Sequence, residues 1–446
     1  MMRFHWLKPI ITTTGLCFLA AAMYCWMTTI VVRPSKSTTI RGDFKTFRLI
    51  MKEDIASARL LSSSSDGSDL EAVPPLTVDS PVFTQRLKRA NDFCFQSFGG
   101  KAGRVIFDTK HRIANCIVPK VGCTFWINVI RFIKNETGGK VFRSPMDIPR
   151  LITHYGNASK DDVIWHDKEP PKYLGHMIRF MFVRDPYARL WSAWIDKFFL
   201  PDFWYTHGQL IADFFRFTPE EKACPKNISF EQFLTYFTSD TFLENPGTLN
   251  DHWAPYKYVC DPCLFRPHVL GKMETFARDS RAILEAANLT WVLSAQTNTS
   301  RDETSAHPVD DRSLREMSML IEYNYDTWLV YETHFNGCFP VGELYQRLWR
   351  AFQYNGHLPP DVKIPKCFLQ RRDFTPRAFF DVCTDTYTKW RRLAERKVYV
   401  DQKKAALVQG YMSVSTPVLK KVQKMFQLDF DMFGYDKTPP ELFDYR

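Results

Sequence analysis

Two short apolar runs, each ended by a tight turn and followed by a stretch of helical period, constrain this chain more than any other feature. Ile113 to Val118 reads as a buried strand, and Pro119 to Cys123 breaks it. Thr124 to Lys134 then places Trp126, Val129, Ile130 and Ile133 on one side of a helix. Met177 to Val183 is a second buried strand, Arg184-Asp185-Pro186 breaks it, and a helix is expected from Tyr187 to Phe199. Strands alternating with helices predict an α/β fold, a parallel sheet flanked by helices. Ser229 with Gln232 makes a capping box, and Phe230, Phe233, Leu234 and Phe237 follow at helical spacing. Beyond residue 300 the pattern is weaker, with helices expected around 312–332, 386–397 and 415–426.

A strand, a tight loop and a helix together aim backbone N–H groups and a helix N-terminus at an anion. In Pro119-Lys120-Val121-Gly122-Cys123-Thr124, Gly122 permits close backbone approach, Lys120 supplies charge and Thr124 a hydroxyl. An ordinary turn with an exposed lysine would read the same way. The Walker A spacing G-x-x-x-x-G-K-[ST] is absent, which removes the main support for an ATPase or nucleotide kinase. Arg184 at the second strand end and Ser192 on the next helix are placed to grip one phosphate; a surface Arg–Asp pair with a helix serine is the plainer alternative. Each loop follows the C-terminal end of a strand, so the two support each other. The net charge of +10 and a pI near 9.0 favour anionic partners without choosing among them.

The N-terminus bears on compartment. Pro9 to Val32 carries no charge, and as a helix it would span about 36 Å, enough for a bilayer core of about 30 Å. The expected layout is a cytoplasmic tail 1–8, a transmembrane signal anchor 9–32, a luminal stem 33–90 rich in Ser and Pro, and a luminal domain 91–446. A cleaved signal peptide ending near Ala20-Ala21-Ala22 is the competing reading. Sequons at Asn135, Asn157, Asn227, Asn288 and Asn298 fit passage through the secretory pathway. Nine cysteines lie outside the span, an odd number, so at least one is unpaired within the chain. Cys260-Asp261-Pro262-Cys263 lacks the second pair a zinc site would want, so disulfides are expected. Cys123 is expected as the free thiol, because a bridge would crowd the loop; the other eight would form four bridges, Cys260 and Cys263 bonding distant partners. Cys94 is the alternative free or interchain cysteine.

Four ordered segments carry a family resemblance. Cys116-Ile-Val-Pro-Lys-Val-Gly-Cys-Thr124 closely resembles the 5′-phosphosulfate loop of Golgi carbohydrate sulfotransferases, in the branch of the chondroitin and dermatan 4-O-sulfotransferases. Phe182-Val-Arg-Asp-Pro-Tyr-Ala-Arg-Leu-Trp-Ser-Ala193 resembles that family's 3′-phosphate motif. Asp251-His252-Trp253 through Cys263 to Thr275, and Leu428 to Tyr435, also look like the family, whereas 300–404 has the look of an atypical insertion. The resemblance implies a P-loop-like sulfotransferase fold, a type II Golgi membrane protein, and 3′-phosphoadenylyl sulfate as donor. It implies no metal and no nucleic-acid partner.

The same resemblance places Pro119, Lys120, Val121, Gly122, Cys123, Thr124 and Phe125 at the donor's 5′ side. It places Arg184, Asp185, Pro186, Arg189 and Ser192 at its 3′-phosphate. Lys120 would neutralise charge on the leaving group, and a histidine would serve as base, His154 or His252, with His166 and His176 behind them. The implied acceptor is a glycan or proteoglycan hydroxyl, with GalNAc of a chondroitin- or dermatan-like chain as one expectation. A basic surface would suit a sulfated or uronate-rich acceptor. An inactive glycan-binding Golgi protein that keeps the fold is the alternative, though such a relative need not keep Lys120, Arg184 and Ser192.

Overall fold

The computed structural model describes residue 78 and residues 80–444 apart from 97–98, 138, 156–162, 165–171, 295–310, 336, 371–374 and 392–395. The expected tail, membrane span and most of the stem lie outside these, as do His166 and the sequon asparagines Asn157 and Asn298. Among the described residues no helix is long and apolar enough to cross a membrane. The chain divides into two compact units, Met1–Val73 with Pro365–Arg371, and Pro74–Ile364 with Arg372–Arg446. Of the first, a short helix, Lys366–Leu369, is described.

The second unit is built on a five-stranded sheet: β1 (Arg104–Asp108), β2 (Ile113–Cys116), β3 (Val163–Ile164), β4 (Ile178–Val183) and β5 (Val269–Lys272), in the order β3-β1-β2-β4-β5. β2, β4 and β5 run parallel, with Asn115 opposite Phe180 and Phe180 opposite Val269. β1 pairs antiparallel with both β2 and β3, so the sheet is mixed rather than parallel throughout. The cause is local. Asp108 accepts the His111 backbone N–H at 2.8 Å, and Arg112 takes a left-handed φ of 54°. The chain therefore reverses as a hairpin before β2.

The helices that matter are α1 (Pro81–Asp92), α2 (Cys123–Ile133), α3 (Arg150–Tyr155), α4 (Pro186–Trp194), α5 (Phe230–Phe237), α6 (Phe276–Ala286), α7 (Asp311–Phe335), α8 (Val341–Tyr354), α9 (Pro376–Arg391), α10 (Arg396–Met412) and α11 (Thr416–Met425). α2 and α6 meet the sheet through aromatic packing, with ring centroids of Trp126 and Phe180 4.4 Å apart and those of Phe182 and Phe276 4.8 Å apart. The Ser229–Gln232 capping box starts α5 as expected. The helix expected over 187–199 changes winding at Ile195, where a π-helical turn, Ile195–Phe199, continues α4. The single helix expected at 386–397 is replaced by α9 and α10. α10 lies against α4: the Tyr411 hydroxyl donates to the Tyr187 carbonyl at 2.9 Å, and a Cβ on Gly410 would sit 2.3 Å from the Trp191 ring.

Two expectations need correction. The stem was expected to reach residue 90, yet Arg86 of α1 donates to Asp279 at 2.6 Å and to the Leu270 carbonyl at 3.0 Å. The folded body thus includes Pro81–Asp92, because the arginine neutralises a fully buried carboxylate. Among the described residues, cysteines pair as Cys94–Cys263, Cys116–Cys260 and Cys224–Cys338, Cys367 is also disulfide-bonded, and Cys123 and Cys383 are free. Cys123 is free as expected and the C-x-x-C cysteines do bond distant partners. Cys94 is bonded, and four bridges among the remaining eight do not form, because Cys383 is enclosed in apolar packing as a thiol.

Candidate active site

Because β2, β4 and β5 are parallel, the segments that follow them leave the sheet at one edge. After β2 the chain turns through Lys120 at φ 70° and Gly122 at φ 84°, both left-handed. Gly122 caps α2, and a Cβ there would lie 2.5 Å from the Phe276 ring, so a side chain is excluded by backbone and by space. The first-turn amides of α2, at Cys123, Thr124 and Phe125, open toward the same edge because a helix leaves them without partners of its own. The Phe125 ring packs edge-on against Trp126 and Phe276, each at 5.3 Å.

After β4, the Arg184 guanidinium donates to the Lys120 carbonyl at 3.3 Å and joins the two loops. Asp185 caps α4 by accepting from Ala188 N–H at 2.9 Å, and Pro186 takes the first helical position. Burial, and then the Glu274 charge, push the Asp185 carboxyl up to about 6 against that hydrogen bond. Arg189 is buried and donates to three backbone carbonyls: Pro119 at 3.2 Å, Ala254 at 2.6 Å and Asp251 at 2.7 Å. It ties the first loop to the Asp251–Ala254 turn. Ser192 lies part-buried on α4, eight residues beyond Arg184.

The sequence reading missed the cluster beneath Lys120. The Lys120 ammonium donates to Asp196 at 2.8 Å, and Arg150 of α3 donates to both oxygens of that carboxylate at 3.0 Å. Lys197 stands 3.6 Å from Asp196 and pairs closely with Asp202. Burial alone would raise Asp196, but Arg150, Lys120 and Lys197 hold it well below the carboxylate range. Burial lowers Lys120 despite the Asp196 charge. Asp196 and Lys197 belong to the π-helical turn, a local widening that recurs at functional sites. Asp196-Lys197 following an arginine–proline loop was the available signal, but its partner Arg150 comes from a distant segment.

The two histidine candidates differ in position. His154 Nε2 is 3.2 Å from the Thr124 hydroxyl, so it belongs to the first loop. Burial, then Arg150 and Lys197, push it down to about 3. His252 Nδ1 is 2.7 Å from Asn250 Oδ1 and its ring meets Phe203 edge-on. Burial, then Lys197 and Lys120, hold it well below the ordinary histidine range. Both imidazoles are neutral at physiological pH. His176 is set apart in the turn before β4, where its carbonyl accepts from Arg112.

A family model for the sulfotransferase family matches residues 103–327, half of the chain and the stretch that holds both loops. The chain belongs to the sulfotransferase family. Among similar proteins, mouse carbohydrate sulfotransferase 11 is 28% identical over 227 residues, 49% of this chain and 63% of that protein. Human carbohydrate sulfotransferase 8 is 24% identical over 332 residues, 70% of this chain and 76% of that protein. Carbohydrate sulfotransferase 12 of Xenopus laevis is 29% identical over 207 residues, 42% of this chain and 48% of that protein. The match to the mouse protein thus spans less than two thirds of its length. No solved structure matches the chain.

The chain also brings residues of its 300–404 region toward the loops. Lys403 on α10 is solvent-facing, yet desolvation by surrounding protein and the charges of Arg184 and Lys120 pull its ammonium down to about 8. It stands two turns before Gly410, the residue of α10 that abuts α4, and so shares its face. Glu316 on α7 is held down to about 2: burial raises it, and His357, Lys403 and Lys120 outweigh that. The sequon asparagines Asn135, Asn227 and Asn288 are all exposed.

Proposed function

We propose that this protein is a carbohydrate O-sulfotransferase that moves a sulfuryl group from 3′-phosphoadenylyl sulfate to a glycan hydroxyl. The observation that carries the reading is the junction of the two loops, where Arg184 grips the Lys120 carbonyl while Asp196 holds the Lys120 ammonium at the shared sheet edge. The left-handed turn at Gly122, the open amides of α2 and the cations Lys120, Arg184 and Lys403 fit a dianionic and a monoanionic phosphate. The donor supplies an activated sulfuryl group whose bond to the bridging phosphate oxygen is the one that breaks.

The chain's own residues do the rest by position and charge. Pro119 to Phe125 form the 5′ side, with amides at Gly122, Cys123 and Thr124 as donors. Arg184 and Ser192 hold the 3′-phosphate, while Asp185 and Pro186 fix the start of α4. Arg189, with its donors engaged by three carbonyls, acts as a positioning residue for the loop. Lys120 stabilises the electron pair that the bridging oxygen keeps. His154 Nε2 takes the proton from the acceptor hydroxyl as the new O–S bond forms; the neutral imidazole at Thr124 supports this role. His252, oriented by Asn250 and within the field of Lys120, is the second candidate.

The relatives' names and the retained Lys120, Arg184 and Ser192 favour catalysis over an inactive glycan-binding role. The uncharged 9–32 stretch and exposed sequons support a type II Golgi membrane protein with this unit in the lumen. Incubating the purified protein with sulfate-labelled donor and a panel of desulfated glycans tests the activity, and label on no glycan would overturn it. Glycosidase treatment of protein made in animal cells should lower its apparent mass; no change, with the unit open to cytosolic protease, would refute the topology.

A further inference from the structure

The Arg184–Asp185 turn is held by two acceptors from distant segments. The Arg184 backbone N–H donates to the Tyr256 hydroxyl at 2.8 Å, and the Asp185 N–H donates to Glu274 Oε1 at 3.3 Å. Both amides fall between the last residue of β4 and the first of α4, where neither ladder nor helix supplies a partner. Glu274 lies in the helical turn Met273–Thr275, directly after β5. The loops that follow all three parallel strands thus meet at this turn.

Both acceptors are themselves fixed by one C-terminal segment, α12 (Gln427–Phe433) and the two residues after it. Asp429 accepts the Tyr256 N–H at 3.2 Å, and the Phe433 and Tyr256 ring centroids are 5.0 Å apart. The Tyr435 hydroxyl donates to Glu274 Oε2 at 3.0 Å. Lys272 donates to the Phe433 carbonyl at 2.7 Å, and its ammonium lies 4.2 Å from the Tyr435 ring centroid. Gly434 ends α12 in the left-handed region, at φ 66°.

Charge alone gives Glu274 the wrong sign for this place. Burial pulls the Arg184 guanidinium down, and the Glu274 charge is the foremost of those that oppose it. A carboxylate so placed competes with a phosphate for the arginine. Its hydrogen bonds act in the other sense. They fix the peptide from which the Arg184 side chain projects, and a guanidinium aligned in advance loses less freedom on binding.

We infer that Glu274 is a positioning residue for the 3′-phosphate loop, and that Tyr435 holds its carboxylate in place. The inference rests on the donor reading of the two loops. It gives the Leu428–Tyr435 block a role at the donor, through a hydroxyl 161 positions from Glu274 in sequence. The Glu274 side chain is exposed, so truncating it leaves the core intact.

The test uses the purified full-length protein and two probes, 3′-phosphoadenosine 5′-phosphate and adenosine 5′-monophosphate, which differ in the 3′-phosphate alone. Calorimetric titration of each gives the advantage that the 3′-phosphate confers. Glu274→Ala should cut that advantage about ten-fold, with adenosine 5′-monophosphate binding unchanged. Glu274→Gln, whose amide oxygen still accepts from Asp185, should recover most of it. Tyr435→Phe, which leaves the carboxylate present, should lower it about three-fold alone and not at all beside Glu274→Ala. In steady state, donor KM should rise while kcat holds. A gain in 3′-phosphate affinity in both Glu274 variants would mean that the carboxylate acts by charge, and it overturns the inference. So does an equal loss for both nucleotides, the mark of a loosened fold, or an advantage that Glu274→Ala leaves intact. A wild type that favours neither nucleotide refutes the donor reading itself, and the inference with it.

Discussion

Lys120 donates its ammonium to Asp196 at 2.8 Å, across 76 positions of sequence. The pair is unequal. Asp196 keeps Arg150 and Lys197 if Lys120 is removed, whereas Lys120, Arg150 and Lys197 lose their shared carboxylate if Asp196 is removed.

Lys120→Ala should therefore fold normally and lose transfer. Turnover should fall by about 10²–10³-fold, because the lysine's charge matters most as the leaving group departs. Asp196→Asn should instead lower the melting temperature, costing about 3–5 kcal/mol, because buried Lys120 and Arg150 lose the carboxylate between them while Lys197 keeps Asp202. Thermal unfolding and steady-state kinetics on both variants distinguish these outcomes. A fully active Lys120→Ala would remove the lysine from the reaction.

Arg184→Ala should weaken donor binding by about 1.5–3 kcal/mol, the loss of one charge-assisted phosphate contact. Lys403→Ala should weaken it less, since that side chain is solvent-facing. Lys403→Arg should restore it. Calorimetric titration with 3′-phosphoadenosine 5′-phosphate measures both, and donor affinity untouched by Lys403→Ala would leave α10 outside the donor site.

The histidine predicts a split in pH dependence. In the donor-free protein His154 is pushed down to about 3, so it stays neutral well below pH 6. A bound polyanionic donor offsets Arg150 and Lys197 and raises it. The acid limb of kcat/KM for donor, which reports free enzyme, should then lie below the acid limb of kcat. For stability the sign is also fixed. The unfolded chain binds the His154 proton below about 6.5 and the folded chain does not, so this residue removes stability as pH falls from about 6.5 toward 3. His154→Gln should flatten that loss in acid unfolding curves; an unaltered slope would contradict the buried neutral imidazole.

Cys123 sits part-buried between Gly122 and Thr124, and Cys383 is fully enclosed. Alkylation of the native, non-reduced protein should label Cys123 and spare Cys383, and 3′-phosphoadenosine 5′-phosphate should protect Cys123. Peptide mass spectrometry reads both. Equal labelling with and without the nucleotide would place the loop away from it.

The amino-acid order alone determined the strand–loop–helix units, because a run such as Ile113 to Val118 and the apolar face Trp126, Val129, Ile130 encode burial and period locally. Lys120, Gly122, Arg184 and Ser192 were legible for the same reason: each sits at a fixed offset from a strand end. The sheet's mixed direction was less legible. It depends on the His111–Arg112 turn reversing the chain, and a four-residue strand reads identically in either sense. What only tertiary structure decided is the set of partners. Asp196, Arg150, Tyr323 and Lys403 are unremarkable charged and aromatic residues in sequence. They acquire a role because the π-helical turn, α3, α7 and α10 converge on the edge where β2 and β4 end, and Coulomb energy depends on distance in space rather than separation along the chain.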